Sequence, residues 1–279
     1  MDAPSPHSRF LGDTLPRIQQ DARVTGVAIT GSIATGQPDI YSDVDLIVII
    51  DDEAFGAVME ERLALIGSWT ALVSGFTGEH VGEPRLVIAL VGPPLLHVDF
   101  KFVRASDFAE RVEDPYILWD RHGRLADSLA ERPPTPRSLD LQWIEDRFWT
   151  WVHYGATKLG RGELFEVISL LNHLRETVLG PLAARRAGAA PRGVRHLESI
   201  APDEARDLRT TLCGYDRRDA GRALLAAVEL YRRWLDGRWL EGRWLDDAGA
   251  TIERRRQAEE LAVRYLHDVI DQSAGQEAG

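Results

Sequence analysis

Two apolar runs, VTGVAIT at 24–30 and LIVII at 46–50, flank a Gly31-Ser32 step and a polar stretch that ends in Asp43-Val44-Asp45. Both runs are rich in β-branched residues and too short for helices. Residues 24–30 therefore read as a buried strand, Gly31-Ser32 as a tight turn, and 43–50 as a second strand that stops at Asp51-Asp52. Side chains alternate along a strand, so Asp43 and Asp45 project to one face and Val44 to the other.

A third acid follows in LLHVDFKFV, 95–103. Val98, Phe100 and Phe102 alternate with His97, Asp99 and Lys101, which predicts a strand with one apolar and one wet face and puts Asp99 on the wet one. If that strand lies beside 43–50, three carboxylates meet at one point and repel one another unless a divalent cation neutralises them. Oxygen donors suit Mg²⁺, which binds through one or two carboxylates plus substrate phosphates. Gly31 lets backbone N–H groups approach phosphate oxygens, and a helix starting near Ser32 adds its positive N-terminal end. A nucleotide completes such a site. The plainer alternative makes Asp-x-Asp a helix cap or solvated turn, and Gly-Ser ordinary turn punctuation. Among the histidines, His97 is nearest the acids, where it either orients Asp99 or, the plainer reading, is a satisfied structural histidine; none shows metal-ligand spacing.

With the Gly-Ser turn, the Asp-x-Asp pair and a later strand Asp on the page, the region from about 20 to 105 resembles the polymerase-beta-type nucleotidyltransferases. The stretch GSIATGQPDIYSDVDL is similar to the antibiotic-modifying members that act on aminoglycosides and lincosamides. The resemblance implies an α/β (α+β) domain with a mixed sheet and flanking helices, followed by an all-α helical-bundle domain that closes over nucleotide and acceptor. It implies two Mg²⁺ ions and transfer of a nucleoside monophosphate, AMP from ATP, to an acceptor hydroxyl, with pyrophosphate leaving. By that likeness Asp43 and Asp45 bind metal, and Gly31 and Ser32 hold the triphosphate. Asp99 either completes a metal's shell or accepts the hydroxyl proton. If it is a ligand, the base comes from the helical domain, Glu163 or Glu166, where Lys158 and Arg161 are candidates to hold the nucleotide.

At 279 residues, the chain is long enough for two cores, and the break falls at the Pro133-Pro134-Thr135-Pro136 cluster. The expected domains are 1–132, catalytic, and 133–279, helical. Before the break 11 Lys and Arg face 21 Asp and Glu, net −10; after it 22 face 23, net −1. So acidic a catalytic half is a poor fit to nucleic acid and a better one to a cationic small molecule such as an aminoglycoside. Modification of a protein or RNA, or an antitoxin-like nucleotide-binding module without catalysis, are the other readings. One cysteine, Cys213, excludes an internal disulfide, and no apolar stretch nears the ~20 residues of a membrane span. A cytoplasmic enzyme with no membrane partner is the expectation; the sequence leaves its oligomeric state open. The ends, MDAPSPHS and QSAGQEAG, are expected to fray.

After the prolines, Leu and Trp recur at three- and four-residue spacings, predicting helices over about 139–160, 162–186, 202–213, 217–240 and 248–271, with Pro181 kinking or ending the second. Residues 116–128 read as a short strand and a turn. Arg-Trp-Leu recurs every five residues from Arg233 to Leu245, too short a series for a repeat architecture and more consistent with a packing corner than with tryptophans stacking on a sugar or base. Only two lysines, Lys101 and Lys158, occur beside 31 arginines, which singles out Lys158 as a compact ammonium; the plainer reading makes 158–166 a helix corner with a solvated Lys-Arg-Glu surface.

Overall fold

The runs around the Gly-Ser step form β1 (Val24–Thr30) and β2 (Val44–Ile50), antiparallel to each other. The third run is β5 (Leu96–Arg104), parallel to β2. A hairpin of β3 (Leu72–Gly78) and β4 (Glu83–Val91), and β6 (Tyr116–Asp120), complete a mixed six-stranded sheet of order β3-β4-β5-β2-β1-β6. All neighbours except β2 and β5 run antiparallel. The computed structural model describes residues 5–136, 138–236, 239–240, 243–244 and 252–277. The chain divides into two units, 1–136 and 137–279.

Alternation gives the sheet two different faces. Val44, Val48, Phe100 and Phe102 point to one, where α1 (Pro6–Ile18) and α3 (Phe55–Trp69) cover them with Phe10, Ile18, Val58, Ile66 and Trp69. On the other face, Leu125 of α4 (Leu125–Glu131) and Phe108 pack on Ala28, Ile49 and Val103. Gly26 admits Leu125 there, since a Cβ would strike its side chain. Asp45 and Asp99 share the strand parity of Ile49 and Val103, so they lie on this second face, toward the N-terminal ends of β2 and β5.

Several expectations in this unit need correction. The N-terminus does not fray at Ser8: Ser5 caps α1, its Oγ accepting from Ser8 N at 3.1 Å, and Pro6 opens the first turn without losing a needed N–H. The turn expected after β6 leads instead into α4, with Asp120 accepting from the backbone N–H groups of Gly123 and Leu125.

The second unit is helical. Its elements are α5 (Leu141–Gly160), α6 (Leu164–Leu174), α7 (Gly180–Arg186), α8 (Leu197–Ile200), α9 (Pro202–Leu208), α10 (Arg217–Asp236) and α11 (Arg256–Glu277). Phe148, Val152, Leu171, Leu224, Tyr231 and Leu266 sit in its core. Gly155 brings α6 and α10 close to α5, since a Cβ would stand 2.6 Å from Leu170 Cδ2 and 3.1 Å from Leu224 Cδ2. Pro181 does not end its helix. A π-type turn, Arg175–Leu179, precedes it, and Pro181 falls in the first turn of α7, where its missing N–H costs no α-helical bond. Helix α10 stops at Asp236 rather than at 240, in keeping with the turn signal Asp236-Gly237. Trp239–Leu240 (β7) instead pairs with Arg243–Trp244 (β8). The rest of the Arg-Trp-Leu series beyond Leu235 lies outside the described residues. The last helix begins at Arg256, later than expected, and runs to Glu277 where fraying was expected. No helix among the described residues is long and apolar enough to cross a membrane.

Candidate functional site

One row of cross-strand partners crosses the partly open face: Thr30 on β1, Asp45 on β2, Asp99 on β5, Ile88 on β4 and Phe76 on β3. Adjacent strands lie about 4.8 Å apart, so Asp45 and Asp99 are immediate neighbours. Gly31 follows Thr30 with φ +71°, and a Cβ on it would collide with Asp45 Oδ2. Only glycine lets the β2 carboxylate rest against this turn at no conformational cost. Helix α2 (Gly31–Ala34) begins at the expected step but is a single turn, too short for an extended dipole. Ser32 Oγ is buried with no hydrogen-bond partner among the described residues. A group so placed costs about 1–3 kcal/mol unless something binds it.

The three acids do not form a ready cluster. Among the described residues, no group of three or more His, Cys, Asp or Glu side chains is arranged to hold a metal ion. Asp99 Oδ1 accepts from His97 Nε2 at 3.1 Å, while Asp45 lies against the Gly31 turn. Asp43 is half-buried, one residue ahead of β2. Like charges on adjacent strands favour such separate partners. The β2–β5 register already aligns Asp45 with Asp99, so a shared cation calls for side-chain rotation and not backbone movement. All-carboxylate donors with a buried hydroxyl nearby fit Mg²⁺ with a phosphate better than a softer metal.

Lys101 sits two residues beyond Asp99 on the same face, its Nζ 3.0 Å from Glu83 Oε2. Glu83 also accepts from Arg85 Nε at 2.7 Å and Nη2 at 2.8 Å. Arg85 first, then Lys101, hold the Glu83 carboxyl down at about 2. A depressed folded value makes the unfolded chain take up the proton first as pH falls. The stability from Glu83 is therefore present above its ordinary 4.5 and is lost between there and about 2. Glu83→Gln is expected to flatten the acid limb of the melting temperature over that window and leave the neutral plateau lower; an unchanged acid limb would refute the pairing.

Residues 13–80 match the family model described as nucleotidyltransferase domain. Over that span the chain is similar to nucleotidyltransferase domains. The matched span takes in Gly31, Ser32, Asp43 and Asp45, and ends before Asp99. Two solved structures are similar over nearly the whole chain. One is a nucleotidyltransferase-like protein from Exiguobacterium sibiricum, 14% identical, covering 96% of this chain and 92% of that one, TM-score 0.39. The other is an aminoglycoside 6-adenyltransferase from Bacillus subtilis, 14% identical, covering 93% and 97%, TM-score 0.41. Likenesses this distant assign no substrate. No curated protein sequence matches the chain.

Within the helical unit, the other four candidates gather at the α5–α6 corner. Lys158 Nζ is 2.6 Å from Glu163 Oε2 and 3.1 Å from Glu166 Oε2, and Arg161 Nη1 is 3.9 Å from Glu163 Oε1. Glu163 first, then Glu166, hold the Lys158 ammonium protonated well above the ordinary lysine range. Tyr154, four residues before Lys158, donates its hydroxyl to Glu166, and this bond ahead of Lys158 lowers the Glu166 pKa. Sequence reasoning missed Tyr154, although the i, i+4 spacing on one helix face carries the signal. The lysine is thus already neutralised by two carboxylates, and a phosphate has to compete with both.

Proposed function

We propose that the chain transfers AMP from ATP to a hydroxyl of a small cationic antibiotic of the aminoglycoside class, releasing pyrophosphate. The observation that carries this reading is the register that sets Asp45 beside Asp99, with Gly31 and Ser32 at the end of the next strand. Asp43 and Asp45 are the residues that would hold Mg²⁺, two ions by the family likeness. Bound Mg²⁺ supplies charge neutralisation at the phosphates and at the leaving pyrophosphate. Ser32 Oγ and the α2 amides bind triphosphate oxygens. Asp99, steadied by His97, accepts the hydroxyl proton as the acceptor oxygen bonds to the α-phosphorus and the α–β bridging oxygen departs with pyrophosphate. Asp99 is favoured over Glu163 and Glu166 as base because Lys158 engages both glutamates and the Glu166 pKa is lowered. Lys158 and Arg161 then serve the nucleotide rather than the proton. The net charge of −10 before residue 133 favours a cationic acceptor over nucleic acid, and a cytoplasmic site of action accords with the single cysteine.

A lincosamide is the second reading, favoured by the exposed apolar side chains of Phe76 and Leu90 on the strands beyond Asp99. Pyrophosphate release from Mg-ATP with aminoglycosides, lincosamides or no acceptor separates the two. Release with neither class would overturn both. Asp99→Asn is expected to remove the low-pH limb of the rate while metal affinity stays; weakened metal binding with the limb intact would make Asp99 a ligand instead.

A further inference from the structure

We infer that His7 is a positioning residue for Asp43; the inference rests on the reading of Asp43 as a metal carboxylate. Residues 35–43 return the chain from α2 to β2. This loop is wound on itself: Asp39 Oδ1 accepts from Tyr41 N at 2.8 Å and from Ser42 Oγ at 3.1 Å, and Ser42 Oγ accepts from Asp39 N at 2.9 Å. These bonds shape the loop without tying it to the sheet. Its tip residues Ile40 and Tyr41 are 83% and 87% exposed, so packing does not anchor the tip. Asp43 stands just outside the β2 ladder.

The anchor comes from α1. His7 is 6% exposed, and its Nε2 donates to the Ser42 carbonyl oxygen at 2.7 Å. That carbonyl belongs to the same planar peptide unit as the Asp43 nitrogen. Fixing its oxygen fixes the plane from which the Asp43 Cα departs, and leaves φ of Asp43 as the soft dihedral before the strand begins. Helix α1 is itself seated on β5, where the Phe10 ring meets Phe100 edge-on at 6.3 Å, next to Asp99. One helix therefore sets Asp43 relative to the strand that carries Asp99. Without the bond, the loop regains backbone freedom that any ligand of Asp43 must remove again.

The test compares His7→Leu, which fills the space without a donor, with His7→Gln, whose amide N–H reaches the same oxygen. Amide hydrogen exchange over 39–43 in metal-free protein, Mn²⁺ affinity without acceptor, and kcat with KM for Mg-ATP are read on all three proteins. In His7→Leu exchange should quicken at 39–43 and not in β1 or β5, and Mn²⁺ affinity and kcat should fall about 10- to 100-fold. His7→Gln should recover most of each loss. Leu and Gln variants that behave alike, or exchange that rises throughout the sheet, would overturn the inference by making His7 a packing residue. Should His7→Leu not fold, His7→Asn, too short to reach Ser42, replaces it. Wild-type protein that transfers nothing would refute the functional reading alone, because exchange and Mn²⁺ binding still report the anchor; wild-type protein without Mn²⁺ binding would overturn the role toward Asp43.

Discussion

Asp45→Asn is expected to lower nucleotide transfer by about 10³-fold, a loss of about 4 kcal/mol of transition-state stabilisation, with the fold intact. Asn has nearly the same shape, and the backbone pairing of residue 45 with Thr30 and Asp99 does not involve the side chain. What disappears is a charge beside another charge, so the melting temperature should hold or rise. That split between rate and stability marks a residue placed for chemistry. Gly31→Ala acts on the same carboxylate differently. It forces a left-handed φ of +71° on alanine, about 1–2 kcal/mol, and drives a methyl into Asp45 Oδ2. Rate and stability should then fall together. Assays of pyrophosphate release with parallel thermal melts decide the matter: less than a tenfold loss for Asp45→Asn would remove Asp45 from the metal site.

The sequence made the centre of this fold readable because its signals are local. Period-two alternation separated the two faces of each strand, with Asp43 and Asp45 on one side of theirs and Asp99 on the wet side of its own, and Gly31-Ser32 read as a tight turn, where Gly31 has a φ of +71°. Helix α3 escaped notice although Phe55, Val58, Ile66 and Trp69 follow helical spacing, since its other positions are also partly apolar and blur the stripe. Helix α1 was hidden by small polar residues that look like a frayed end, yet Ser5-Pro6 is a helix start. Two things had no local signature at all. The His7–Ser42 bond spans 35 residues. The other is the approach of Asp45 to the Gly31 turn, which only the folded neighbourhood supplies; the His97–Asp99 contact, by contrast, is local and was readable from the two-residue spacing. Lys158 was singled out because lysine is scarce, and the helix corner at 160–162 followed from spacing; which carboxylates close on the lysine, Glu163 and Glu166, is set by side-chain packing at that corner.

The largest stability effect is expected at Glu145, a glutamate on α5 whose side chain is 0% exposed. Burying a carboxylate is unfavourable unless its lone pairs are filled. Here Oε1 accepts from Trp149 Nε1 at 3.1 Å, Arg254 Nε at 3.0 Å and Arg255 N at 2.8 Å, and Oε2 from Tyr231 OH at 2.5 Å. Arg254 continues to Glu259 at 2.9 Å, which also takes Arg232 at 2.7 Å. The network joins α5, α10 and the segment leading into α11, and Tyr231 is further held by stacking on Phe148 at 3.8 Å. Burial first, then the Glu145 charge, push the Tyr231 hydroxyl far above the ordinary tyrosine range, so it stays a donor. Glu145→Leu removes one of the two carboxylates that hold the buried Arg254 guanidinium, leaving it Glu259, and takes the acceptor from a buried phenol at once; it is expected to cost about 3–5 kcal/mol, or about 10 °C for a unit of this size. Arg254→Leu should be similarly harmful alone. Combining the two leaves no uncompensated charge at the centre, so the double variant should lose clearly less than the sum, by 1 kcal/mol or more on the order-of-magnitude scale of coupled contacts. Urea unfolding followed by tryptophan fluorescence measures all three. Strict additivity, or a Glu145→Leu loss under about 1 kcal/mol, would show that water reaches the carboxylate and that packing alone joins these helices.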